Sequence, residues 1–155
     1  MGKRNASKRK GAARQVAALP VRRDANGNLR VLLVTSRETK RWVVPKGWPV
    51  DGLDPWEAAA REALEEAGAE GPVIEAPLGT YGYGKRLDDG EVLPCVVTLY
   101  PLRVKRLRDR WKERRERERR WFDPKDAAER VDEPELRELL RNLRRMVKRD
   151  DALTV

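Results

Sequence analysis

Three glutamates, Glu62, Glu65 and Glu66, stand close together in the stretch GWPVDGLDPWEAAAREALEEAG that begins at Gly47. On a helix turning about 100° per residue, with Glu62 at zero, Glu66 falls at about 40° and Glu65 at about −60°. Like charges three and four residues apart disfavour a helix by a few tenths of a kcal/mol per pair. Such a wedge is either a solvated surface or a site where cations relieve the repulsion, and the helix alone leaves both readings open. Carboxylate oxygens, with backbone carbonyls near Gly47 as further donors, suit a hard cation such as Mg²⁺ or Mn²⁺. The chain has no histidine and a single cysteine, Cys95, so a zinc site is not expected. Arg61, four residues after Glu57 and four before Glu65, is placed to brace the acids.

The elements that must hold these groups are also written locally. Asp54 precedes Pro55, and Glu57 follows three residues later. That is a capping-box arrangement with proline in the first helical position. Gly68 suits the helix end, so the helix is expected over residues 55–67. Its apolar side is expected opposite Glu62, carrying Trp56, Ala60, Leu64 and Ala67. Asn26-Gly27 predicts a hairpin between RQVAALPVRR and LRVLLVTSR. A second hairpin is expected around Asp88 to Gly90, with short strands at RWVVP and at Arg119 to Phe122. Asp123-Pro124 reads as a helix start. A last helix is expected from near Pro134, with Leu136, Leu139, Leu140, Leu143, Met146 and Val147 at core spacing. Strands and helices in this order predict an α/β fold, a mixed sheet with helices against it.

Taken together these residues resemble the Nudix hydrolases, whose signature is G-x5-E-x7-R-E-U-x-E-E-x-G-U, with U a bulky apolar residue. Gly47, Arg61, Glu62, Glu65, Glu66 and Gly68 fall in register. Ala63 and Ala69 occupy U positions, and Leu53 stands where the signature has its first glutamate. With RWVVPKG before the box and WKERRERERRWF after it, the resemblance reaches roughly residues 12–145. These flanking stretches are similar to those of the diphosphoinositol polyphosphate and diadenosine polyphosphate phosphohydrolases. The resemblance implies an α/β/α sandwich around a mixed β-sheet. It also implies hydrolysis of a phosphoanhydride by water, with Glu62 and Glu66 as the main Mg²⁺ ligands. Glu65 would be a further ligand or a base, the Gly47 carbonyl an added ligand, and Arg61 part of the catalytic set. Glu113, Glu116 and Glu118 are candidates for a second base, though charge balance among the neighbouring arginines is the simpler reading of them. Leu53 lies just before the helix cap and off the acidic wedge, so a glutamate there is not needed to hold the metal.

Charge distribution bears on the substrate. The chain of 155 residues carries a net charge of +9. Residues 1–14 contribute +6 and residues 103–120 contribute +7, which leaves −4 for the rest. Basic patches attract phosphates on small polyphosphates or on nucleic acid. Lys46, Arg14, Arg117 and Arg119 are candidates to grip outer phosphates through charge-assisted bonds. Trp48 is a candidate to stack on a base. Trp42 is expected to pack at the core or its rim, and Tyr81 and Tyr83 to share a sheet face as structural residues.

The leading expectation is an enzyme acting on diphosphoinositol or dinucleoside polyphosphates. The alternatives are an RNA 5′-end pyrophosphohydrolase and a basic nucleic-acid-binding module without catalysis. Residues 1–13 read as a basic disordered tail and residues 14–150 as one domain. No apolar run approaches the roughly 20 residues of a membrane helix, and a cytoplasmic location is expected.

Overall fold

The structure, a computed structural model, describes residues 12–149. The basic tail therefore lies outside the described residues except for its last two positions, and Ala13 already opens the first strand. The strands are β1 (Ala13–Arg23), β2 (Leu29–Thr35), β3 (Trp42–Val43), β4 (Lys46–Gly47), β5 (Ala69–Glu70), β6 (Gly79–Arg86), β7 (Val92–Arg103), β8 (Arg106–Leu107) and β9 (Arg119–Phe122). The helices are α1 (Pro55–Ala67), α2 (Pro124–Arg130), α3 (Pro134–Arg141) and α4 (Leu143–Arg149).

The central sheet runs β3-β2-β1-β7-β6, with β4 paired to β1 and β9 to β2. It is mixed: β1 and β7 are parallel, from Ala13 opposite Cys95 to Val21 opposite Arg103, whereas β1–β2 and β6–β7 are antiparallel hairpins. The first hairpin closes at Asp24, whose Oδ1 accepts the amides of Asn26 and Asn28. Gly27 sits there at φ 82°, a left-handed conformation that glycine adopts without steric cost.

Alternation along the strands feeds two cores. Leu19, Val31, Leu33, Val97 and Leu99 point to one face and pack with Ala127, Leu136, Leu140, Leu143 and Val147 of α2, α3 and α4. Val16, Ala18, Leu32, Val34, Tyr100 and Leu102 point to the other and pack with Ala58, Ala59, Ala63 and Ala67 of α1. Helices therefore cover both faces, which explains why the strands read as nearly continuous apolar runs. The result is the expected α/β/α sandwich.

Two expectations need correction. The last helix is interrupted at Asn142, whose side-chain Nδ2 donates to the Glu138 carbonyl at 2.9 Å. Its core spacing survives the break, since Leu136, Leu140, Leu143 and Val147 remain buried. The buried side of α1 is also not the one drawn opposite Glu62. Ala58, Ala59, Ala63 and Ala67 are at most 1% exposed. Trp56, Ala60 and Leu64 are only half-buried. The small side chains let the helix backbone approach the sheet, and the bulky ones sit at the margin. This rotation carries Glu66 into the interface, at 7% exposure.

Candidate active site

Helix α1 begins and ends where its sequence signals lie. The Asp54 N–H donates to Glu57 Oε1 at 2.9 Å. Gly68 adopts φ 66° at the C-terminus and returns its N–H to Leu64 O at 3.0 Å. With both ends set, Glu62 and Glu66 are delivered to a cleft of about 340 Å³. Gly47, Lys46, Trp48, Glu113, Arg117, Gln15, Tyr83 and Lys85 line it with them.

Gly47 is held against β1 opposite Val16, and a Cβ there would come within 2.4 Å of Glu62 Oε2. Glycine lets the backbone come this close to the carboxylate, and a larger residue there would displace the Glu62 side chain. Glu66 Oε1 accepts the Lys46 amide at 3.3 Å. Burial pushes the Glu66 carboxyl up to about 8, opposed by the Arg117 guanidinium and reinforced by Glu62. Glu62 is also raised, first by burial and then by Glu65 and Glu113. Each of the two carboxyls thus raises the cost of ionising the other, on top of the burial they share. Two partly desolvated carboxylates that repel each other are a place where a cation can relieve the repulsion. The all-oxygen donor set and the glycine cradle fit a hard divalent cation. Among the described residues no three acidic, histidine or cysteine side chains converge at ligating distance.

Glu65 departs from the three-acid wedge. Its carboxylate lies 3.8 Å from Lys112 Nζ, and it is not among the cleft residues. Glu113 faces the cleft instead, held by Arg117 Nε at 2.6 Å. Of the other candidate bases, Glu116 is exposed and pairs with Arg37 at 3.4 Å, and Glu118 is exposed.

The expected cations separate in the same way. Lys46 lines the cleft with its ammonium 4.8 Å from the Tyr83 ring centre. Burial lowers its pKa, while Glu66 and Glu133 pull it back up. Arg117 is part-buried and committed. It donates to Glu113 and to the Thr35 carbonyl at 3.0 Å, and it lies 3.6 Å from Glu66 Oε2. That arrangement orients carboxylates, in place of the expected phosphate grip. Arg119 is away from the cleft, donating to the Ala67 carbonyl at 2.9 Å and stacking on Trp111 at 3.9 Å. Arg14 is exposed on β1 and does not line the cleft. Arg61 does not brace the acids. It is exposed, has no ion pair among the described residues, and lines a separate groove with Leu53 and Leu64.

Sequence reasoning missed Gln15, Tyr83 and Lys85. Tyr83 O–H donates to Gln15 Oε1 at 2.6 Å, and Tyr83 forms a wall of the cleft while Tyr81 is buried in the core. The alternation Tyr83-Lys85 along β6 was the available signal, because residues two apart share a strand face. Trp42 packs edge-on against Phe122 at 5.1 Å, as a rim residue. Trp48 is 44% exposed at the cleft.

Comparison with known proteins agrees with this picture. The model of the NUDIX domain matches residues 13–143. Mitochondrial Nudix hydrolase 12 of Arabidopsis thaliana is 38% identical over 109 residues, which are 68% of this chain and 54% of that protein. The chain thus spans about half the length of that relative. Mitochondrial Nudix hydrolase 16 of the same plant is 32% identical over 129 residues, 77% of this chain and 71% of that protein. Among solved structures, the C. elegans Ap4A hydrolase binary complex superposes with a TM-score of 0.66 at 23% identity, covering 90% of this chain and 100% of that one. The NUDIX domain of Shewanella oneidensis NrtR, complexed with ADP ribose, superposes with a TM-score of 0.63 at 17% identity and covers 88% of each chain.

Proposed function

The chain belongs to the Nudix family, and from that premise we propose that it is a Mg²⁺-dependent pyrophosphohydrolase acting on a polyphosphorylated small molecule. The observation that carries this reading is the composition of one cleft. The carboxylates of Glu62 and Glu66 line a solvent-open cleft together with Lys46 and Lys85. Carboxylates alone would suit a cation and lysines alone an anion. Both together suit a metal-bridged polyphosphate.

Glu62 and Glu66 would hold Mg²⁺, with the Gly47 carbonyl as the further donor that the family resemblance implies; Mn²⁺ suits the same oxygens. What the cation supplies when bound is neutralisation of phosphate oxygens and a more acidic water. The remaining work belongs to the chain. Arg117 fixes Glu113 beside the pair, so that Glu113 takes the proton from the attacking water. Water oxygen bonds to phosphorus, and the anhydride P–O bond breaks with its electrons leaving on the departing phosphate. Lys46 and Lys85 receive the phosphates outside the reacting one. Trp48 offers its exposed face to a base or another flat group. Positioning and charge neutralisation of this kind carry most of phosphoryl transfer.

Diphosphoinositol and dinucleoside polyphosphates are the substrate classes favoured, because two lysines in the cleft ask for more anionic charge than a nucleotide sugar presents. RNA with a 5′-triphosphate is the second reading. It is favoured by Arg110, Arg114 and Arg115, which are exposed and without ion pairs among the described residues. The same surface would serve a nucleic-acid-binding module without catalysis. A cytoplasmic location completes the proposal.

The test is a panel of these substrates and an ADP-sugar, each incubated with the purified chain and Mg²⁺, with products identified. Release of phosphate-terminated products from the polyphosphates supports the reading. Absence of release from every phosphoanhydride, together with salt-sensitive RNA binding, would replace it with the binding module.

A further inference from the structure

Helix α1 has no basic residue in its last turn, and a helix C-terminus presents unpaired carbonyls and a partial negative charge. In this chain a remote segment supplies what the helix lacks. The Glu65 carbonyl accepts the Glu113 amide at 3.0 Å, and the Gly68 carbonyl accepts the Arg108 amide at 2.8 Å. The Glu66 carbonyl accepts the Trp111 indole N–H at 3.1 Å. The Ala67 carbonyl accepts Arg119 at 2.9 Å. Arg119 and Trp111 stack on each other at 3.9 Å. Gly68 leaves room for both, since a Cβ there would come within 2.8 Å of the Arg119 guanidinium and 3.0 Å of the indole.

The same segment delivers Glu113 and Arg117 to the cleft. The docking of residues 108–119 on the end of α1 therefore sets two carboxylates against each other, Glu66 from the helix and Glu113 from the loop. We propose that Trp111 and Arg119 form a latch that positions Glu113 against the Glu62–Glu66 pair, so that the metal site depends on a contact outside the cleft. The metal half of this inference rests on the functional reading above, and the latch half does not.

The test uses the whole chain with Trp111→Phe, which removes the indole N–H and keeps an aromatic ring under Arg119. Arg119→Lys, which keeps the charge but not the planar fork, is the second variant should the first fold poorly. Two readouts separate the two halves. Amide hydrogen exchange without metal should show Glu113 and Arg108 exchanging several-fold faster in Trp111→Phe; unchanged exchange overturns the latch. Mn²⁺ binding, followed by electron paramagnetic resonance, should weaken by about tenfold, the size expected when groups supporting a metal's ligands are lost. Turnover should fall with little change in KM. Wild-type Mn²⁺ affinity in the variant would overturn the positioning role. Faster exchange in a variant whose parent binds no Mn²⁺ would leave the latch standing and remove the metal reading instead. A Glu70→Gln variant, which breaks the exposed Arg108–Glu70 pair at 2.9 Å, should leave exchange at Glu113 and Mn²⁺ affinity unchanged.

Discussion

The two sides of α1 treat the same signature in opposite ways. On one side Glu62 and Glu66 meet Gly47, Lys46 and Arg117 in a cleft rich in charge. On the other, Leu53, Ala60 and Leu64 line a shallow groove of about 380 Å³ with Glu57 and Arg61. The departure at position 53 falls wholly on the second side. A glutamate there would share a groove with Arg61, and would not reach the carboxylate pair. The difference separates what the signature asks of chemistry from what it asks of the helix's outer flank. The departure at position 53 thus leaves Gly47, Glu62 and Glu66 together in their own cleft.

Variants at the acids break this comparison most severely if it is wrong. Glu62→Gln should lower turnover by on the order of 10²–10³-fold, the range for loss of one charge-stabilising group. Glu65→Gln, whose parent carboxylate sits by Lys112, should cost less than about tenfold. Steady-state kinetics of the two with one substrate compares them directly, and equal losses would restore the three-acid wedge. Lys85→Ala should raise KM by roughly ten- to hundredfold for a substrate with several phosphates, in keeping with about 1.5–3 kcal/mol for a hydrogen bond to a charged group. The change should be smaller for a diphosphate, and KM values for substrates of increasing phosphate number measure it.

A pH series sharpens the comparison further. Glu66 has a folded pKa of about 8 against an ordinary 4.5. Between these values the folded chain holds a proton that the unfolded chain has released. Stability of the metal-free protein is therefore greatest below about pH 4.5, as far as this group is concerned, and falls as pH rises towards 8. Melting temperatures with EDTA should decline across that window. Saturating Mg²⁺ should flatten the decline, because ligands that must be deprotonated bind metal best at high pH. Glu66→Gln should remove both the decline and the Mg²⁺ effect. The smallest effect is expected at the other flank. Leu53→Glu should change turnover by less than about twofold and shift stability by about 1 kcal/mol, typical of a substitution that creates no buried charge. Denaturant unfolding and kinetics on one preparation would show both, and a large gain in rate would tie the two sides together after all.

Much of the scaffold was legible because its signals are local. Asp54, Pro55 and Gly68 bound α1 at the residues expected. Asn26-Gly27 marks the first turn, and Pro124 opens α2. The site was legible only where a chemical group and its position coincide, as at Gly47, Lys46, Glu62 and Glu66. The rest depends on contacts between distant segments. Tyr83 and Lys85 reach the cleft because β6 pairs with β7, which lies beside β1. Arg119 reads as a phosphate ligand from its charge, yet the end of α1 claims it. The wheel places the buried side of α1 opposite Glu62, with Trp56, Ala60, Leu64 and Ala67; of these only Ala67 is buried, together with Ala58, Ala59 and Ala63, whose small side chains permit close approach. The short strand β4 and the pair β5–β8 carry too few residues for any periodicity to register.

The central claim is that the Glu62–Glu66 pair is a working metal site in this chain. Its most direct test is Mg²⁺-dependent release of products from a dinucleoside or diphosphoinositol polyphosphate, measured for the wild type and for Glu66→Gln. The account predicts release by the wild type that vanishes with EDTA, and a loss of at least about 10²-fold in the variant. Release that persists undiminished in Glu66→Gln, or none from the wild type, would contradict it.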